Sequence, residues 1–175
     1  EDDIESYFVW IPKYSYQLWD LGTYNSATTV QNKEQTINIR FGKKNTTDGV
    51  IGECATPGVA GESGTCVVGD YMTHPAFLAF DTNGLWVGKF ETGYAEALDK
   101  DAATIDSSDS SKVIIKPDIY SWRGLSIGNM FKVSYDYNRE HESHMMKNTE
   151  WGAVAYLSHS NYGINSEVRI NNNYM

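Results

Sequence analysis

Only one stretch of this chain holds a helical period for three turns, which restricts it to folds built mostly from short strands. In Asn148-Thr149-Glu150-Trp151-Gly152-Ala153-Val154-Ala155-Tyr156-Leu157-Ser158-His159, the residues Trp151, Val154, Ala155 and Ser158 recur at i, i+3, i+4 and i+7, and Leu157 widens the stripe. Cap-type residues open the segment and Glu150 sits in the first turn, where the helix N-terminus favours negative charge. Tyr162-Gly163 closes it. A second, shorter helix is expected within Ser126-Ile127-Gly128-Asn129-Met130-Phe131, with Leu125, Met130 and Phe131 turned inward.

The remaining apolar patterns are brief and alternate with period two. Ser6 to Trp19 is dense in aromatic and β-branched residues. It reads as a strand stopped at Pro12 and a second extended stretch in which Tyr14, Tyr16 and Leu18 share a face. Thr36 to Phe41 alternates, placing Ile37, Ile39 and Phe41 on the buried side. Leu85 through Phe90 is the best candidate for a central strand, entered by the turn Asp81-Thr82-Asn83-Gly84. Val113 to Pro117 and Glu167 to Ile170 complete the set as short strands. The expected fold class is therefore α+β: a small mixed or antiparallel sheet, one or two short helices and long loops. Residues 1–175 form one domain of ordinary size.

Two segments interrupt this pattern. Residues 94–111 are acidic and Ser-rich, and read as a solvated surface segment. Residues 43–70 form a Gly-rich excursion carrying both cysteines, Cys54 and Cys66. A disulfide between them would stabilise by about 2–3 kcal/mol through restriction of the unfolded loop, and would place the chain in an oxidising compartment. The alternative is a pair of free thiols under reducing conditions. Two cysteines at this spacing lack the second ligand pair of a zinc site.

Charge narrows the partners. Lys and Arg total 14 against 23 Asp and Glu, a net charge of −9. Nucleic acid and anionic membrane surfaces are bound by clustered basic residues, and Lys43-Lys44 is the only basic pair. No apolar run approaches the ~20 residues of a membrane span. The chain begins Glu1-Asp2-Asp3, without an initiating Met, so any leader or anchor is expected upstream.

Catalytic patterns are sparse. His141-Glu142-Ser143-His144, after Glu140, is the only cluster of metal-type ligands. His141 and His144 are weak candidates for zinc, because i, i+3 spacing serves a metal chiefly on a helix and this stretch is polar. His74 has no accompanying nucleophile and is expected to cap backbone groups. His159 fits a helix C-terminus. Asp99, Asp101, Asp106 and Asp109 lack the calcium-loop spacing. No phosphate-binding loop or hydrolase elbow occurs, so no catalytic residue, metal or cofactor is assigned. If the protein works by contact, Tyr14, Tyr16, Trp19 and Tyr24 are the aromatic candidates, together with the terminal Asn171-Asn172-Asn173-Tyr174.

A resemblance adds context. Leu85-Trp86-Val87-Gly88-Lys89-Phe90-Glu91-Thr92 is similar to the opening strand of the formylglycine-generating, or sulfatase-modifying-factor, domain. Glu150 to Leu157 resembles that family's helix, and Tyr162-Gly163 with Val168-Arg169-Ile170 its following strand. That fold belongs to the wider C-type-lectin group. The chain as a whole resembles uncharacterised proteins of gut-type bacteria and their prophages, through Phe8 to Tyr16, Gly88 to Thr92, Ile115-Lys116-Pro117 and Ser143 to Gly152. The enzyme family's second half, with its paired cysteines and metal ligands, would follow Ile170, so its catalytic residues find no counterpart in this sequence and the sheet is expected to be incomplete. These resemblances imply a non-catalytic structural or adhesive domain, extracellular, on a cell surface or on a virion. Its partners would be copies of itself, another surface or virion protein, or a glycan. The alternatives are a fragment of a formylglycine-generating-type oxidase and a stand-alone carbohydrate-binding lectin.

Overall fold

The computed structural model describes residues 4, 6–17, 37–42, 71–78 and 82–166. Its architecture is small and mixed, with two helices and small antiparallel sheets. The strands are β1 (Phe8–Pro12), β2 (Tyr14–Gln17), β3 (Asn38–Phe41), β4 (Met72–Thr73), β5 (Gly84–Gly88), β6 (Gly93–Tyr94) and β7 (Val113–Ile114), and the helices are α1 (Ile127–Tyr137) and α2 (Asn148–Ser158). The chain divides into two compact units: residues 1–10 with 86–147, and residues 11–85 with 148–175.

The first unit is assembled around Val113, Ile115, Trp122 and Val133, with Phe90, Tyr94, Leu125 and Tyr137 packed on them. β6 and β7 pair antiparallel, Gly93 opposite Ile114 and Tyr94 opposite Val113. Gly93 is required there: a Cβ would stand 2.4 Å from the Ile119 side chain and 3.1 Å from the Tyr120 carbonyl. Trp122 is buried, its indole N–H donating to the Ile105 carbonyl at 2.9 Å and its ring meeting Tyr94 edge-on. This satisfies the one polar atom that burial would otherwise penalise.

α1 follows at once. Ser126 caps it, its hydroxyl accepting from the Asn129 N–H, and the Asp106 carboxylate accepts from both the Ser126 N–H and the Asn129 side chain. Those bonds, led by the one from the Ser126 backbone, hold Asp106 below the usual carboxylate range. The helix sends Val133 and Tyr137 to the core. Contrary to the sequence reading, Met130 and Phe131 face solvent.

In the second unit, β2 is the middle of a three-stranded antiparallel sheet of order β3-β2-β4. Tyr14 lies opposite Phe41 and Tyr16 opposite Ile39, while Ser15 lies opposite Thr73 on the other side. Both faces of β2 are covered, since Tyr14, Ser15 and Tyr16 are all buried. The central strand among the described residues is thus β2. β5, which held that place in the sequence reading, pairs with β1 alone among the described residues. Ile37 and Ile39 are buried as expected, but Phe41 is exposed and meets the Tyr162 ring edge-on at 4.7 Å.

α2 spans the predicted helix, but its buried positions are Glu150 and Ala153, and Trp151 is 59% exposed. The predicted stripe picks out the largest apolar residue, whereas the sheet side needs the smallest. Ala153 lets the helix backbone come close enough for the Tyr14 hydroxyl to bond its carbonyl.

Candidate contact surface

Exposed aromatic side chains form two groups in the first unit, while Phe41, Trp151 and Tyr162 are exposed in the second. β1 and β5 are bonded at Lys89 N–H to the Tyr7 carbonyl and at Lys13 N–H to the Asn83 carbonyl. Trp10 lies midway between Tyr7 and Lys13, and Trp86 midway between Asn83 and Lys89, so the two indoles come together across an antiparallel ribbon. Their ring centroids are 5.1 Å apart, tilted by 55°. Trp86 is 66% exposed and Trp10 38%. Phe8, two residues before Trp10, lies on the same face of the strand and is tilted over Tyr137 of α1 at 6.2 Å.

A second aromatic group runs along α1. Ile127, Phe131 and Tyr135 recur at i, i+4 and i+8, on the side away from Val133. The rings of Phe131 and Tyr135 are stacked, 8° from parallel and 5.9 Å apart. The Arg139 guanidinium lies 4.9 Å above the Tyr135 ring and is paired with Asp136, which Lys132 also bonds. The Lys132 and Arg139 hydrogen bonds hold the Asp136 carboxyl below its ordinary range.

The sequence candidates lie elsewhere. Tyr14 and Tyr16 are core residues, not surface contacts. They form an aromatic cluster with Phe77 and Tyr156 around the buried imidazole of His74, with centroid separations of 5.0–6.1 Å. Burial raises the pKa of both phenols, helped by Tyr156 beside them. Burial also lowers His74 to about 4, so its ring is neutral at physiological pH. His74 Nδ1 accepts from the Ala76 N–H at 3.3 Å and caps the 3₁₀ turn Pro75–Phe77, a structural role. Cys54, Cys66, Trp19, Tyr24, Asn171, Asn172, Asn173 and Tyr174 lie outside the described residues.

His141 and His144 are both exposed, and each Nδ1 is engaged locally, His141 with the Asn138 side chain at 2.9 Å and His144 with the Glu142 carbonyl at 2.6 Å. No group of three or more His, Cys, Asp or Glu among the described residues could hold a metal ion. The acidic segment is used in its own turns: Asp99 accepts from the Asp101 and Ala102 N–H groups, and Asp109 from that of Ser111.

Trp10, Trp86 and Tyr135 are the surface residues that sequence reasoning passed over. Trp86 was legible only as a strand residue, and nothing in its two-residue alternation says which side a second layer covers. No helix among the described residues is long and apolar enough to cross a membrane. No protein-family model, curated protein or solved structure matches the chain.

Proposed function

We propose that this chain is a non-catalytic structural or adhesive domain, displayed on a virion or a bacterial surface and working by contact. The observation that carries the reading is the paired exposed aromatics of the first unit: Trp86 beside Trp10, and Phe131 stacked on Tyr135. Rings grouped at a surface leave apolar area in water that a partner would remove, and they make contacts at low entropic cost because they have few rotatable bonds. The titratable groups fit the same reading. His74 is enclosed and serves as a cap, and the carboxylates of residues 99–109 serve turns and a helix end.

The cellular setting and the finer fold, C-type-lectin-like and sulfatase-modifying-factor-like, rest on the sequence resemblances. The two phrases that carry them include part of the strand β5 and most of the helix α2. Light scattering and negative-stain microscopy of the purified protein, run beside a glycan array, test the proposal. Assemblies, or glycan capture lost in Trp86→Ala, are expected. A protein that stays monomeric and captures neither glycan nor surface protein would refute it.

A stand-alone lectin is the second reading, favoured specifically by the Trp10–Trp86 pair. The C–H faces of a sugar ring stack on such indoles. Glycan capture by a protein that does not assemble would select it.

A further inference from the structure

The docking of α2 on its sheet converges on one imidazole. His74, 4% exposed, is enclosed by three elements of the second unit. Its ring meets Tyr14 and Tyr16 of β2 at 5.4 and 5.5 Å, and Tyr156 of α2 at 5.2 Å. The α2 backbone passes so close that a Cβ on Gly152 would touch Cε1 and Nε2, both at 3.6 Å. Nδ1 accepts the Ala76 N–H at 3.3 Å and caps the turn Pro75–Phe77. An acceptor at Nδ1 puts the proton of the neutral ring on Nε2, so a second proton must enter at Nδ1, against the Ala76 N–H. The charged ring loses its cap bond, sets two donors against each other and leaves a cation enclosed by side chains.

The titratable groups on the elements packed around this ring are the phenols of Tyr14, Tyr16 and Tyr156, and Glu150 in the first turn of α2. Burial is the whole cause of the lowered His74 pKa, so no carboxylate among the described residues acts on the ring to compensate a charge there.

We infer that His74 is an acid-sensitive latch on α2: a proton at Nδ1 breaks the cap of the Pro75–Phe77 turn and releases the helix from a sheet that stays paired. What holds each element separates them. β2 is bonded in register to β3 on one side and to β4 on the other. Among the described contacts, α2 reaches the sheet through the Tyr14 hydroxyl on the Ala153 carbonyl and through Tyr156 packed on Tyr16 and His74. Just past its end, the Ile37 N–H bonds the His159 carbonyl. An element held by few bonds opens before the rest of its unit. Opening bares Tyr14 and Tyr16, so these phenols are offered to a partner only in acid.

The direction follows from linkage. The enclosed ring takes its proton near 4, and the released ring at the ordinary 6.5. α2 is therefore held above 6.5 and let go as pH falls toward 4, and its opening constant rises roughly a hundredfold between pH 7 and 4. The latch lies in the second unit and does not depend on the exposed aromatic pairs of the first.

Hydrogen exchange of the full chain, followed fragment by fragment at pH 7, 5 and 4 and corrected for intrinsic exchange, tests it. Fragments of α2 are expected to lose protection about a hundredfold, while those of β2 change only a few-fold, and protection returns at pH 7. His74→Asn keeps a side-chain acceptor for the Ala76 N–H but cannot take the proton, so its α2 should lose the acid response. Glu150→Gln should retain it. Circular dichroism at pH 7 monitors folding of both variants. The comparison of α2 with β2 inside the wild-type chain decides even where a variant fails to fold. Protection of α2 unchanged at pH 4, loss of α2 and β2 together, a response that survives His74→Asn, or one abolished by Glu150→Gln overturns the inference.

Discussion

The hydroxyl of Tyr14 donates a 2.6 Å hydrogen bond to the main-chain carbonyl of Ala153, joining the central strand of a sheet to a helix 139 residues further along the chain. The phenol is fully buried, and its ring meets Phe77 edge-on and His74 at a tilt. Tyr14→Phe keeps the ring and removes only the donor. Loss of a buried bond of this length is expected to cost about 1–2 kcal/mol, read as a lower urea midpoint with an unchanged slope. Ser15→Ala breaks a much longer contact, 3.4 Å to Thr73, and is expected to cost less. Equal effects from the two variants would show that the Tyr14 bond contributes nothing beyond packing.

Acid is expected to act on this protein in two separate windows. Burial holds His74 at about 4 against an ordinary 6.5, and the groups facing it are the rings of Tyr14, Tyr16, Phe77 and Tyr156. The unfolded chain therefore takes up a proton near pH 6.5 while the folded one does not. Stability is fully present above 6.5 and falls as pH drops toward 4, by up to about 3 kcal/mol. Asp106, Asp109 and Asp136 are lowered by hydrogen bonds to the ionised form, so their contribution is lost only below their ordinary value near 3.8. Unfolding titrations of wild type and His74→Asn between pH 7 and 4 check this. The variant should lose most of the slope, and identical slopes would show that the unfolded chain gains no proton there.

Two glycines, one inside α2 and one in the turn after it, should respond in opposite directions. A Cβ on Gly152 would meet His74 Cε1 and Nε2 at 3.6 Å, ordinary van der Waals contact, in the interior of a helix. Gly152→Ala is expected to stabilise by about 0.5–1 kcal/mol through reduced chain entropy. On Gly163 the same atom would stand 2.3 Å from the Ser158 carbonyl oxygen and 2.6 Å from its Cα. These are backbone atoms that cannot swing aside, and Gly163→Ala is expected to lower the melting temperature. A stabilised Gly163→Ala would mean that the turn after α2 relaxes freely.

Much of this framework was readable from residue order, and the failures share one cause. Tyr14 and Tyr16 were placed on one face by alternation, and Ile37 and Ile39 on the buried side, as observed. The extent of α2 followed from its period, though it ends at Ser158, before the Tyr162-Gly163 pair expected to close it. Which side of an element faces in was harder. α1 carries Ile127, Met130, Phe131, Val133, Tyr135 and Tyr137 on one broad arc, wider than the core can cover, and only the edge with Val133 and Tyr137 is packed. Its orientation is set by Asp106 and Ser126 at one end and by the Trp122 cluster beneath it. In α2 the period predicts Trp151 inward, but close approach to Tyr14 selects Ala153 and turns Trp151 outward. Alternation puts Tyr14 and Tyr16 on one face of a strand, and period two alone cannot separate a covered face from a bare one.

The tryptophans give the most direct check on which aromatics serve the fold and which the surface. Trp122 is 9% exposed and packed among Val113, Ile115 and Val133, with its indole N–H bonded to Ile105. Trp122→Ala leaves a large cavity and is expected to cost about 3–5 kcal/mol. Trp86 meets Trp10 and is 66% exposed, so Trp86→Ala is expected to cost about 1 kcal/mol, the worth of one aromatic pair. In Trp86→Phe, with the other indoles retained, the fraction of fluorescence quenched by iodide should fall, and in Trp122→Phe it should rise. Comparable stability losses at the two sites, or quenching unchanged by removal of Trp86, would mean that the Trp10–Trp86 face is covered in the folded protein and is no contact surface.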